Sequence, residues 1–245
     1  MQDNDESSAA QVRLGVIVPS VNTVVEPWFN AVVPAGISVH VARMLLSNAL
    51  TPDALREMDE HEGAHAARQI ASCKPNAVAY CCTASSAVQG PDYDLVLGRS
   101  LAQRTGVPSF TAIHALVAAL NSIGARRIAI ASPYSEAIDR MEQNFFAQSG
   151  FEVLGGAHLG IADAFQLAEP SASALRKLGH TAWRPGADAL LLTCLNTRSH
   201  LVIDTLEQEL NVPVITSTQA TLWRLLRMSG RAERIEGYGR LLRMH

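Results

Sequence analysis

Ala77-Val78-Ala79-Tyr80-Cys81-Cys82 is an unbroken apolar run that gives way to Thr83-Ala84-Ser85-Ser86. Ala189-Leu190-Leu191-Leu192-Thr193-Cys194 is a second such run, and it gives way to Leu195-Asn196-Thr197. Short runs of this kind suit strands buried on both faces, as in a parallel sheet. Each run ends in a cysteine at the same distance from a serine, Ser20 or Ser132, that itself closes an earlier apolar run. The earlier runs correspond too, Leu14-Gly15-Val16-Ile17-Val18 against Arg127-Ile128-Ala129-Ile130. A third pair follows, Val107-Pro108-Ser109-Phe110-Thr111 and Val212-Pro213-Val214-Ile215-Thr216, each leading into an amphipathic stretch that stops at Gly124 or Gly230. The chain therefore reads as two copies of one α/β unit, each presenting a thiol at the carboxyl end of a strand.

Working outward, the pattern predicts strands over 12–18, 37–41, 77–82 and 107–111 in the first copy. In the second it predicts 127–131, 151–154, 187–193 and 212–216. Helix-length amphipathic stretches cover 52–72, 134–148, 170–178 and 201–210. The first opens on Thr51, a good N-cap, with Pro52 at the first helical position. Strands alternating with helices predict βαβ units. The expected fold is α/β, with two pseudo-symmetric Rossmann-like lobes, each a parallel four-stranded sheet, and the active site in the cleft between them. Residues 1–113 with 218–245 are assigned to the first lobe, carrying Asn22 and Cys82. Residues 114–217 are assigned to the second, carrying Tyr134 and Cys194.

The chain has 245 residues, 48% of them hydrophobic, and a net charge of −3, as expected of a soluble globular protein. Lys and Arg (20) are outnumbered by Asp and Glu (23), with no basic stripe, so nucleic acid is not an expected partner. The first ten residues are polar and acidic rather than positive and then apolar. They predict a disordered lead-in, not a signal peptide, and hence a cytoplasmic protein. No apolar run is long enough for a membrane helix. Four cysteines without a C-x-x-C pair or a histidine at ligand spacing match no disulfide framework and no zinc site, so no metal is expected. There is no glycine-rich phosphate loop, so no nucleotide cofactor is expected either.

In parallel sheets ligands bind outside the carboxyl ends of the strands. Here those ends read Pro19-Ser20-Val21-Asn22-Thr23, Cys82-Thr83-Ala84-Ser85-Ser86, Ser132-Pro133-Tyr134 and Cys194-Leu195-Asn196-Thr197. They are small and polar, suited to offering hydroxyls and backbone N–H groups to an anion. Facing lobes would bring Cys82 and Cys194 into one cleft, and a thiol at a helix start has its pKa lowered by the dipole. Cys73, at a helix end, and Cys81, which alternates with Cys82 along its strand, read as packing residues. Asn22 is either a helix cap or a carboxylate donor, and Tyr134 either core or a phenolic donor. Among the histidines only His114 follows a strand end, and it reads as structural.

The segments Pro19-Ser20-Val21-Asn22-Thr23 with Glu26-Pro27, Cys82-Thr83-Ala84-Ser85, Ser132-Pro133-Tyr134, Cys194, and Gly237-Tyr238-Gly239-Arg240-Leu241-Leu242 resemble those of maleate cis-trans isomerases. That family belongs to the cofactor-independent Asp/Glu racemase superfamily, alongside arylmalonate decarboxylases. The resemblance runs from about Arg13 to Leu242. It implies covalent addition of the Cys82 thiolate to a cis-enedioate, with Cys194 as general acid and base. It also implies a substrate held by Ser20, Asn22, Thr83, Tyr134, Leu195 and Asn196, and no cofactor. In the decarboxylases glycine replaces the first cysteine, so two thiols argue against simple decarboxylation. One departure stands out. Family members carry a carboxylate-binding asparagine in the segment matching Ala162-Asp163-Ala164-Phe165, where this chain has Ala164.

The expected partner is a small dicarboxylate, with no nucleic acid or membrane and with room for a homo-oligomer. Two alternatives stay open. A two-cysteine racemase of a small carboxylate or hydantoin-like substrate would use the same pair of thiols. A solute-binding protein would share the two-lobed shape without the chemistry.

Overall fold

All eight expected runs become strands, the four central ones apolar at nearly every position because both their faces are covered. The computed structural model describes residues 11–245, so the reading of the first ten residues falls outside it. In the first lobe β1 is Val12–Pro19, β2 Ile37–Met44, β3 Ala77–Tyr80 and β4 Ser109–Thr111. In the second β5 is Arg127–Tyr134, β6 Glu152–Ile161, β7 Ala189–Leu192 and β8 Val214–Thr216. They form two four-stranded sheets, ordered β2-β1-β3-β4 and β6-β5-β7-β8, with every pairing parallel. In each sheet the chain steps outward from its first strand and then returns to the other side of it. This places a topological switch between β1 and β3, and another between β5 and β7. Crevices that bind ligands open at such switches.

The helices are α1 Val25–Val32, α2 Pro52–Ser72, α3 Thr83–Gln89, α4 Pro91–Thr105, α5 Ala112–Ser122, α6 Glu136–Gln148, α7 Ala172–Ala182, α8 Ile203–Leu210, α9 Ser217–Met228 and α10 Gly239–Met244. Thr51 caps α2 as expected, its hydroxyl accepting from Ala54 N–H at 3.2 Å. The repeat extends to the caps of the two helices that follow the last strand of each sheet. Thr111 accepts from His114 N–H and Thr216 from Gln219 N–H, each at 3.2 Å.

Those two helices, α5 and α9, pack against each other. One core cluster runs through them from Val16 and Ala79 on the first sheet to Ile130 and Leu191 on the second. Leu116, Leu120, Leu225 and Leu226 within it are fully buried, at roughly 1.5–3 kcal/mol of hydrophobic stabilisation each. This shared layer fixes how the two sets of strand ends face each other. α9 touches both β3 and β8, while α10 packs on β8 and α8.

β6 is longer than the pattern predicts because Gly155, Gly156 and Gly160 interrupt its apolar run. The glycine at 156 has a steric reason: a Cβ there would lie 2.3 Å from the Ile130 carbonyl oxygen of β5. Among the described residues no helix is long and apolar enough to cross a membrane.

Candidate active site

The turn after β1 is closed by Asn22. Its side-chain oxygen accepts from Val24 and Val25 N–H at 3.0 and 2.9 Å and so caps α1. Its NH₂ has no hydrogen-bond partner among the described residues. Of the two roles left open by its sequence, the oxygen takes the cap, and the amide is left without a partner. It is 3% exposed and lines a small cavity.

Cys82 lines the same cavity from the first turn of α3, whose extended N-cap it is. The Ser85 N–H lies near its sulfur and favours the charged form. Cys81 points the other way, into the central core, as alternation along the strand requires. From the second lobe come Tyr134, at the end of β5, and Cys194, two residues past β7. Thr83 Oγ1 lies 2.9 Å from the Tyr134 hydroxyl, a bond that joins the two lobes across the cavity. The Cys194 sulfur accepts from the Asn196 N–H at 3.3 Å, and Tyr134 and Thr197 stand beside it. Cys194 has φ of +80°, a left-handed backbone that non-glycine residues adopt at a cost of about 1–3 kcal/mol.

Burial dominates the electrostatics. It pushes the Cys82 thiol far above its ordinary value, and the charge of Asp59 adds to the shift. It pushes Cys194 up to about 12, against the lowering effect of Tyr134 and Asn196. The expected drop in thiol pKa at a helix start is thus corrected. One short helix and one N–H bond do not outweigh removal of the sulfur from water. In the cavity both thiols hold their protons.

The remaining lining is apolar, with Leu46, Leu50, Ala164 and Leu167 prominent, and no charged side chain reaches it. The cavity measures about 30 Å³, room for roughly two waters. Two segments close over it, one from each lobe. Leu50 N–H donates to Ala162 O at 2.9 Å, Ala164 N–H donates to Asn48 O at 2.8 Å, and Ala49 bridges Asp163.

Of the residues expected at the site, Asn22, Cys82, Thr83, Tyr134, Cys194, Leu195 and Asn196 come together in this lining. Ser20 does not. Its hydroxyl accepts from Leu46 N–H at 3.1 Å and holds the start of the covering segment instead. The Asn196 side chain is fully engaged: its oxygen accepts from Thr23 N–H, and its NH₂ reaches Ala164 O and Val21 O.

Two buried carboxyls lie behind the thiols, and sequence reasoning missed both. Asp59 on α2 accepts from Tyr80, Ser85, Gln89 and Tyr93, so it clamps the residues on either side of Cys82. Glu142 on α6 accepts from Thr193, beside Cys194. Their signal was position on the helix: Glu142 shares the apolar stripe of Ile138, Phe145 and Phe146, and Asp59 that of Leu55. Among the described residues no group of three His, Cys, Asp or Glu side chains is placed to hold a metal.

The family profile described as arylmalonate decarboxylase matches residues 14–242. A maleate isomerase of Geobacillus stearothermophilus is 26% identical over 96% of this chain and 98% of its own length. One from Pseudomonas putida is 28% identical over 94% and 96% respectively. The crystal structure of a maleate isomerase of Pseudomonas putida S16 with maleate superposes with a TM-score of 0.89 at 25% identity, covering 94% of this chain and 97% of that one. With both sheets and both strand-end thiols inside the matched span, the chain belongs to the arylmalonate decarboxylase family.

Proposed function

We propose that the protein is a cofactor-independent cis-trans isomerase of a small unsaturated dicarboxylate, acting in the maleate-to-fumarate sense. The observation that carries the reading is the pair Cys82 and Cys194, contributed by equivalent strand ends of two lobes to one small cavity. Relatives named maleate isomerase along nearly the whole chain support it. Cys82 stands where the resemblance gives the decarboxylases glycine, which weighs against decarboxylation.

In this scheme the Cys82 thiolate adds to one alkene carbon, forming a C–S bond while the π electrons move to the neighbouring carbon and its carboxylate. Cys194 delivers its proton to that carbon. The former double bond is single and rotates. Cys194 takes the proton back, the C–S bond breaks, and the trans isomer leaves with no net change in atoms or electrons. Charge that builds on the carboxylate is met by the free Asn22 amide, the Thr83–Tyr134 hydroxyl pair and the first N–H groups of α3, which act in a site that excludes water. Burial disfavours a thiolate at Cys82, so the scheme requires its ionisation to accompany substrate entry.

Incubation with maleate in D₂O, followed by proton NMR, tests the reading. Fumarate is expected to appear. Absence of conversion, with deuterium instead entering the sp³ α-carbon of an added amino acid or hydantoin, would replace it by the racemase reading.

A further inference from the structure

The carboxyl behind Cys194 has no part in the scheme above, yet it is built into the site. Glu142 is fully buried on the inner face of α6 and accepts 2.6 Å from Thr193 Oγ1, the residue before Cys194. Its second oxygen is buried without a partner. A carboxylate offers about four acceptor positions, so one donor holds the charged form poorly. Burial accordingly pushes Glu142 up to about 8, Thr193 opposing and Asp139 assisting.

The groups around it are few. Asp139 lies one turn earlier on α6, tied to Ser132 and Gln143. Tyr134 faces it from β5, and Thr193 and Cys194 from the β7 end. α3, which packs across α6, carries no charged side chain. The titratable residues of β6, Glu152 and His158, are exposed. The charge of Glu142 therefore bears mainly on Tyr134 and Cys194, both already raised by burial and both raised further by it.

We propose that Glu142 is a positioning residue that decides when Cys194 can release its proton. As the neutral acid it leaves the thiol free to ionise and anchors Thr193. As the carboxylate it sets a second negative charge behind the sulfur and holds the proton there. A base that must give up a proton and take it back in each turnover is tuned by such a neighbour. The proposal rests on the isomerase reading for the use made of Cys194, but its test reads the thiol and not turnover, so the two fail separately.

The test is alkylation of the full-length protein by iodoacetamide across a pH series, with modification of the Cys194 and Cys82 peptides counted separately by mass spectrometry. In the wild type the logarithm of the Cys194 rate is expected to climb with pH, to bend to a shallower slope at about 8, where Glu142 ionises, and then to resume its climb. Glu142→Gln is expected to remove the bend and to speed Cys194 alkylation above it on the order of tenfold, the change that one pKa unit gives. Glu142→Asp, which keeps the charge, should keep the bend. Cys82 should react at its wild-type rate in both variants. An unchanged Cys194 rate in Glu142→Gln overturns the proposal, and so does equal acceleration of both thiols, which marks a loosened cavity. If the glutamine variant does not fold, a wild-type Cys194 curve without a bend overturns it alone.

Discussion

Replacing Glu142 by glutamine separates its charge from its shape, and the stability consequence follows from burial. Glutamine has nearly the same volume, keeps an oxygen for Thr193 Oγ1, and cannot ionise. In the folded protein the Glu142 carboxyl titrates at about 8, against an ordinary 4.5. As pH rises, the unfolded chain loses this proton first. The contribution of the acid form to stability is therefore complete below 4.5 and is lost as pH climbs towards about 8. Between about pH 5 and pH 8 the wild type should lose about 3–4 kcal/mol through this one group, and the fully buried site gives no solvent screening to reduce it. The new amide N–H₂ lacks an acceptor, a fixed penalty of about 1–3 kcal/mol that does not vary with pH. Urea unfolding of both proteins at both pH values isolates the effect, because the two chains differ at this one group. The glutamine variant should be slightly the less stable at pH 5 and should gain on the wild type by pH 8. A stability gap that is the same at both pH values would refute the reasoning and assign Glu142 an ordinary carboxylate pKa.

Cys82→Ala and Cys194→Ala should each lower kcat by several orders of magnitude while the double variant loses little more, because nucleophile and acid act as one unit. Cys73→Ala, at the exposed end of α2, serves as the unaffected control, and steady-state assays with the substrate found by NMR decide the matter. Asn22→Ala removes the free amide donor, worth about 1.5–3 kcal/mol towards a charged group, so kcat/KM should fall roughly ten- to a hundredfold. An unchanged kcat/KM would leave Asn22 only its capping role at α1.

Most of the fold was legible because buried parallel strands leave a plain mark. The runs ending in Cys82 and Cys194 could be aligned by eye, and their equivalence extended to Thr111 and Thr216 as caps. Boundaries were less legible. β3 stops at Tyr80 because pairing with β1 ends at Ile17, and β4 begins at Ser109 because Pro108 has no N–H to pair. β6 was underestimated because its glycines answer to the close approach of β5, a contact no local pattern records. Strand-end position pointed to the two thiols, Asn22 and Tyr134, which the fold brings into one lining. It also pointed to Ser20, which lies outside that lining, its hydroxyl accepting from Leu46 N–H. It missed Asp59 and Glu142, since a carboxylate on a helix reads as a solvated face unless its apolar neighbours are counted. The acidity of the thiols could not be read at all, because helix position is local and desolvation is a property of the whole cavity.

Cys194 keeps a side chain on a left-handed backbone. Glycine adopts that conformation freely, whereas a side chain there is disfavoured by roughly 1–2 kcal/mol. Gly106, Gly124 and Gly230 take positive φ where helices end, and so do Lys74 and Asn211, neither of which lines the cavity. Cys194 differs from these in being buried, with its sulfur on the cavity wall. Under the proposed isomerase reading, backbone strain and thiol chemistry are set against each other at this one residue.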